Sequence, residues 1–147
     1  MRFLTPRGLA GLGWGLPMAM GAHMARPDRR VFCLAGDGGF GHVWSELETA
    51  RRMNMSLTLI ILNNSILGYQ EHAEDLLYGD HTDACRFAGV DHAAIARAVG
   101  VSGQRVESVE ALRGALSEAS TRTGVSLIDV ITDDKAFPPV TMFDGKY

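Results

Sequence analysis

Asp37 stands inside a glycine-rich turn, Gly36-Asp37-Gly38-Gly39, and an asparagine pair, Asn63-Asn64, closes the next apolar run. A carboxylate, two amides and unhindered glycine N–H groups can hold a cation and an anion together. Hard oxygens suit Mg2+ or Ca2+, and Mg2+ takes one or two carboxylates with phosphate oxygens completing its shell. For these groups to meet, the elements between them must end on one edge. Val31–Ala35 reads as a buried strand, His42–Met53 as an amphipathic helix and Leu57–Leu62 as a second buried strand. Strands joined in this way run parallel, so the turn after Ala35 and the asparagines after Leu62 emerge side by side.

Gly36-Asp37-Gly38-Gly39-Phe40-Gly41 also satisfies the G-x-G-x-x-G spacing of dinucleotide sites. Two features count against that reading. Asp37 would set a negative charge against a pyrophosphate unless a cation lies between them. The acidic residue that would hold a ribose hydroxyl is missing, and Asn63-Asn64 stands in its place. Charge favours Mg2+ held by Asp37 and Asn64, bridging to a diphosphate cradled by Gly38 and Gly39.

The spacing of Gly36-Asp37-Gly38 and Asn63-Asn64 resembles the GDG…NN motif of thiamine-diphosphate-dependent enzymes. The likeness covers nearly the whole chain. Gly11-Leu12-Gly13-Trp14-Gly15-Leu16-Pro17, with Ala19, Gly21 and Ala22, is similar to the segment preceding GDG in the acetolactate synthase and pyruvate oxidase group. Glu46-Leu47, Leu67-Gly68, Tyr78-Gly79, Phe87 and Ala96 also fall at family positions. The resemblance implies a three-layer α/β/α domain with a mostly parallel sheet. It corresponds to the C-terminal, diphosphate-binding domain of acetolactate synthase-like enzymes, here lacking the first strand and helix of the full domain. Residues 1–147 are expected to form one such partial domain.

The resemblance also assigns residues. The backbone carbonyl of Ile66 would be a third metal ligand beside Asp37 and Asn64. Gly11, Leu12, Gly36, Gly38, Gly39, Leu67 and Gly68 would line the cofactor. Leu12 would be the apolar wedge that holds thiamine diphosphate in its bent conformation. The catalytic glutamate of the family lies in a separate pyrimidine-binding domain that no segment here resembles, so this chain is expected to be half of an active site. It would be a fragment of a longer polypeptide or a small subunit of a homo- or hetero-oligomer. The activity implied is decarboxylation of a 2-oxo acid such as pyruvate, followed by carboligation in branched-chain amino acid biosynthesis. Another decarboxylase or lyase of the same cofactor class and a non-catalytic remnant are the alternatives. FAD, where the full enzyme holds it, would sit in the middle domain and not in this chain.

Composition fits one globular domain: 147 residues, 46% hydrophobic and 21% charged, with a net charge of −3. That charge gives no footprint for nucleic acid. No apolar run reaches the roughly 20 residues of a membrane span, and no signal-peptide pattern opens the chain. Cys33, in a strand, and Cys85, at a loop or helix start, have no metal spacing and read as reduced structural thiols of a cytoplasmic protein.

Along the rest of the chain, Met1–Leu9 reads as an irregular lead-in. Gly11, Gly13 and Gly15 suit close backbone approach, and Pro17 suits the first turn of a helix running to about Ala25. Arg26–Arg30 reads as a solvated turn. Glu48 and Arg52 are an i,i+4 pair on the central helix, Glu46 reads as structural, and His42 begins that helix near the diphosphate. Residues 71–90 read as loop. His72 and His81, with Asp75, Asp80 and Asp83, match no common zinc spacing and read as solvated loop residues. A helix spans Val90–Val99 with Asp91 as its N-cap, and a short strand lies near Gln104–Val106. A helix opened by Ser108 then buries Ala111, Leu112, Ala115 and Leu116. Val125–Ile131, with Asp129 inside it, reads as a buried parallel strand, and Phe137-Pro138-Pro139 ends any sheet.

Overall fold

Runs of β-branched and leucine residues form most of the strands, and parallel pairing keeps those runs nearly continuous rather than alternating where both faces are covered. The computed structural model describes residues 2–6 and 11–136. Its elements are α1 (Gly15–Ala25), β1 (Val31–Gly36), α2 (Asp37–Gly41), α3 (Glu46–Arg52), β2 (Leu57–Asn63), α4 (Gly68–Tyr78), α5 (His92–Ala98), β3 (Ser102–Val106), α6 (Val109–Thr121) and β4 (Ser126–Ile131). The four strands are all parallel in the order β1-β2-β4-β3.

Successive strand residues face opposite layers. Cys33, Leu57, Leu59, Ile61 and Leu127 pack with Leu16 and Ala19 of α1, Phe40 of α2, Leu47 and Ala50 of α3, and Ala93 and Ala96 of α5. On the other face Ile60, Val106, Ile128 and Val130 pack with Leu112, Leu116, Ala115 and Ala119 of α6. The sandwich is therefore α/β/α, as the resemblance implied. Its second layer covers only part of the sheet, and Phe32, Leu34 and Leu62 on β1 and β2 remain exposed.

Local chemistry set two of the helix starts. Asp91 accepts from Ala94 N at 2.7 Å and Ser108 Oγ accepts from Ala111 N at 3.2 Å, so both expected caps form. Glu48 and Arg52 pair at 3.0 Å. The basic turn stays solvated, with Arg26 bound to Asp28, while Arg30 Nη1 reaches the Ala119 carbonyl at 2.6 Å.

Three expectations are corrected. The helix expected over His42–Met53 is two short helices, α2 and α3, joined through His42–Ser45. Chain turns at the C-terminus of α2, so His42 caps that helix and Glu46 opens α3 instead of lying deep within it. The loop expected over residues 71–90 contains α4 and a single turn of tighter helix at Asp83–Cys85. Gly79, at φ 75°, adopts the left-handed conformation that ends such a helix. Ala111 is exposed, and Ala119 takes the buried place on α6 instead. The expected tail at Phe137–Pro139 lies outside the described residues, as do residues 7–9 of the lead-in.

Candidate functional site

β1 and β2 are in register with Gly36 opposite Leu62, so the chain leaves the sheet at two adjacent points on one edge. Asp37 follows the first point and Asn63–Ile66 the second. Asp37 is 6% exposed. Its Oδ1 accepts from Gly38 N at 2.9 Å and its Oδ2 accepts from Ser65 N at 2.7 Å. The second bond ties the two turns directly. Each carboxylate oxygen keeps a further lone pair.

Ser65 makes this possible with φ 60°, a left-handed conformation that a non-glycine residue seldom adopts. Strain of this kind persists where surrounding contacts hold it, often at functional sites. Here the holding contacts are visible. Ser65 O accepts from Phe87 N at 2.8 Å, Leu67 N donates to Cys85 O at 2.7 Å, and Ile66 lies opposite Arg86 between those bonds. Asn64 Oδ1 accepts from Ile66 N at 3.3 Å, closing the turn on itself. Among the described residues nothing donates to the Ile66 carbonyl. The Asp37 carboxylate, the Asn64 amide and that open carbonyl form an all-oxygen donor set at one place, which fits a hard divalent cation.

The asparagine pair divides its work. Asn63 is 3% exposed; its Nδ2 donates to Asp129 Oδ1 and to Val90 O, each at 2.9 Å. It anchors the turn to β4 and to the residue before Asp91. Asn64, half-buried, faces the site. Asn63 ends β2 and Asn64 opens the turn, where its Oδ1 accepts from Ile66 N, so the two amides have different partners.

The glycines shape the opposite wall. A Cβ on Gly38 would lie 2.7 Å from Leu67 Cδ2 and 3.1 Å from the Phe87 ring, so only hydrogen fits there. Gly13, at φ 86°, backs onto α2, where a Cβ would meet His42 Cβ at 3.3 Å. Gly11 and Leu12 precede it, and Leu12 is 54% exposed. Gly36, Gly39, Leu67 and Gly68 all lie within these two turns. His42 is exposed beside Gly13, whereas His72 lies on α4 and His81 after it. An open cleft of about 330 Å³ continues from Asn64 and Ser65 toward Asp91 and Arg105.

Electrostatics favour a cation. Burial pushes the Asp37 carboxyl up, and the Ser65 and Gly38 N–H bonds and nearby His92 oppose that only in part. His92 itself is buried: Trp44 Nε1 donates to its Nδ1 at 3.2 Å, and Phe40 meets its ring edge-on at 5.4 Å. Sequence patterning gives no signal for Ser65 or His92 at this site.

His92 carries a pH consequence. Desolvation lowers its pKa from the usual 6.5, against Asp129, Asp37 and Asp91. The folded chain then binds fewer protons than the unfolded one. This contribution is complete above 6.5 and is lost as pH falls from there through the lower folded value. His92→Gln should flatten the fall of Tm in that window, where one such group contributes at most about 1.4 kcal/mol per pH unit. An acid slope identical in the variant would contradict the assignment.

Both cysteines are free and buried, and burial pushes the Cys33 thiol up to about 11. Among the described residues no helix is long and apolar enough to cross a membrane.

Comparisons with known proteins agree with the geometry. The family described as thiamine pyrophosphate enzyme, C-terminal TPP binding domain, matches residues 1–130. The mitochondrial acetolactate synthase catalytic subunit of Aspergillus candidus is 36% identical over 97% of this chain and 20% of its own length. The acetolactate synthase isozyme 2 large subunit of Escherichia coli K12 is 32% identical over 90% of this chain and 24% of its own. Among solved structures, the thiamine diphosphate-dependent 4-hydroxybenzoylformate decarboxylase of Rhodococcus jostii RHA1 superposes with a TM-score of 0.79 at 34% identity. That match covers 83% of this chain and 23% of the decarboxylase. The chain thus spans about a fifth to a quarter of these relatives.

Proposed function

This chain belongs to the thiamine pyrophosphate enzyme family, as its C-terminal TPP binding domain, and from that membership we propose that it supplies the Mg2+–diphosphate anchor of an acetolactate synthase-like enzyme. The observation that carries the reading is the Asp37–Ser65 bond, which sets a buried carboxylate beside the Asn64 turn and the open Ile66 carbonyl. Asp37, Asn64 and the Ile66 carbonyl would hold Mg2+, while the Gly39 N–H, in the first turn of α2, would be offered to the diphosphate and Gly38, its own N–H bonded to Asp37, would leave room beside it. Gly11 and Leu12 would flank the cofactor's reactive end, with Leu12 as the wedge, and Gly36, Leu67 and Gly68 close its sides.

When bound, thiamine diphosphate supplies the electron sink for decarboxylating a 2-oxo acid such as pyruvate. The chain's own residues bind and orient. No segment resembles the family domain that carries the catalytic glutamate, so a pyrimidine-binding domain or subunit would complete the site in a homo- or hetero-oligomer. The exposed Phe32, Leu34 and Leu62 support reading residues 1–147 as a single partial domain of such an assembly. The bacterial relatives suit a cytoplasmic setting in branched-chain amino acid biosynthesis. The decarboxylase neighbour favours one second reading, decarboxylation of an aromatic 2-oxo acid without carboligation. Product analysis of the assembled enzyme, acetolactate against aldehyde, separates the two.

Calorimetry tests the anchor. Thiamine diphosphate is expected to bind the chain only when Mg2+ is present, and NAD is expected not to bind under either condition. Metal-independent binding, or binding of NAD, would overturn the reading.

A further inference from the structure

α4 carries a second donor cluster, remote in sequence from Asp37. Glu71 and Asp75 are one helical turn apart and share a face. After the Gly79 turn the chain doubles back and sets His81 against both. His81 Nδ1 lies 2.7 Å from Asp75 Oδ1, and His81 Nε2 lies 3.7 Å from Glu71 Oε2. One imidazole nitrogen and one oxygen from each carboxylate all lie within 4.8 Å of one another.

Glu71 separates this cluster from an ordinary surface ion pair. The residue is 4% exposed. Its Oε1 accepts from Arg86 Nη2 at 2.7 Å, but its Oε2 is fully buried and has no hydrogen-bond partner. The His81–Asp75 pair and the Arg86–Glu71 pair each engage one carboxylate oxygen, and neither reaches Glu71 Oε2. They leave this one oxygen, aimed at His81, unsatisfied, where buried polar atoms are almost always paired.

We propose that Glu71, Asp75 and His81 form a second divalent-metal site, independent of the Asp37 anchor and taking Zn2+. The imidazole nitrogen argues against Mg2+ or Ca2+, which select oxygen shells of six or more. One His and two carboxylates with water in the fourth position is a three-ligand set that Zn2+ accepts. His81 and Asp75 are partly exposed, which leaves a path for the ion and room for that water. Cys85 is not a ligand, since its thiol is directed to Glu74 Oε2 at 3.6 Å. On binding, the imidazole releases its proton where it is charged, Glu71 Oε2 gains its partner, and Oε1 stays with Arg86.

The ion would staple α4 to the strap that follows it. That strap carries Cys85 and Phe87, whose backbones bond Leu67 and Ser65. Zn2+ would therefore stiffen the covering of the Ile66–Gly68 turn without touching the cofactor site itself.

Calorimetric titration of the metal-stripped chain with Zn2+, in excess Mg2+ and without thiamine diphosphate, tests this apart from the cofactor reading. One Zn2+ per chain is expected. His81→Gln and Asp75→Asn should each weaken binding by at least about 100-fold, while Asp80→Asn and Asp83→Asn change it less than about twofold. Thermal melts establish that the variants fold, and Asp75, being exposed, carries the test should His81→Gln not fold. No Zn2+ binding, binding indifferent to Asp75→Asn, or an equal loss in Asp83→Asn would overturn the site.

Discussion

Asp37→Ala is expected to abolish Mg2+-dependent thiamine diphosphate binding, a loss exceeding about 100-fold in affinity. Loss of an outer-shell partner alone costs about 10–100-fold at metal sites, and Asp37 is the one carboxylate among the proposed ligands. The substitution also removes the acceptor for Ser65 N, which sits at φ 60° and is held there partly by that bond. A buried donor left without its acceptor costs about 1–3 kcal/mol, so the turn carrying Asn64 and Ile66 should loosen as well. Asp37→Asn separates the effects: it keeps the shape and one acceptor but removes the charge, and binding should still fall steeply. Calorimetry with circular dichroism as the folding control reads both. Retained Mg2+-dependent binding in either variant would refute the anchor.

How much of this was legible beforehand depended on whether the signal was local. The β1–α2–β2 unit reads from its apolar runs, and Asp91 and Ser108 announce their helices because an N-cap acts within three residues of itself. The motif pair placed Asp37 and Asn64 on one edge because parallel strands leave no other arrangement. α4 was illegible for a physical reason. Its buried positions hold Glu71 and His72, while Leu76, Leu77 and Tyr78 face outward, so hydrophobic periodicity points to no core face. Gly79 carried the usable signal, a helix-ending glycine read instead as a loop residue. Reading residues 71–90 as loop also hid the i,i+4 relation of Glu71 and Asp75: His72 and His81 with Asp75, Asp80 and Asp83 match no zinc spacing in sequence, and Glu71 is not among them. The helix split at His42–Ser45 was hidden because an apolar pattern of Val43, Leu47 and Ala50 spans the break.

The division of labour between Asn63 and Asn64 leads to the second large expectation, which concerns Asp129. Its carboxylate, 0% exposed, accepts from Asn63 Nδ2 at 2.9 Å and from His92 N at 3.0 Å, with Arg105 Nη1 at 3.9 Å. His92 is the first residue of α5, so the carboxylate also receives one of the amides that a helix start leaves without an intrahelical acceptor. Asp129→Ala removes both acceptors at once. Asn63 Nδ2 keeps Val90 O, but His92 N keeps nothing the structure provides. With about 1–3 kcal/mol for each donor stranded in the core, the loss should fall at about 2–5 kcal/mol, a large share of the ~5–15 kcal/mol that holds a domain folded. Asp129→Asn retains one acceptor and should lose about half as much. Urea denaturation reads the difference as a lower midpoint with an unchanged slope. The variants should also weaken Mg2+-dependent cofactor binding while still folded, because Asn63 fixes the strand end from which Asn64 and Ser65 reach Asp37. A loss below about 1 kcal/mol for Asp129→Ala would mean that water or Arg105 replaces the carboxylate, and that Asn63 is positioned by the backbone alone.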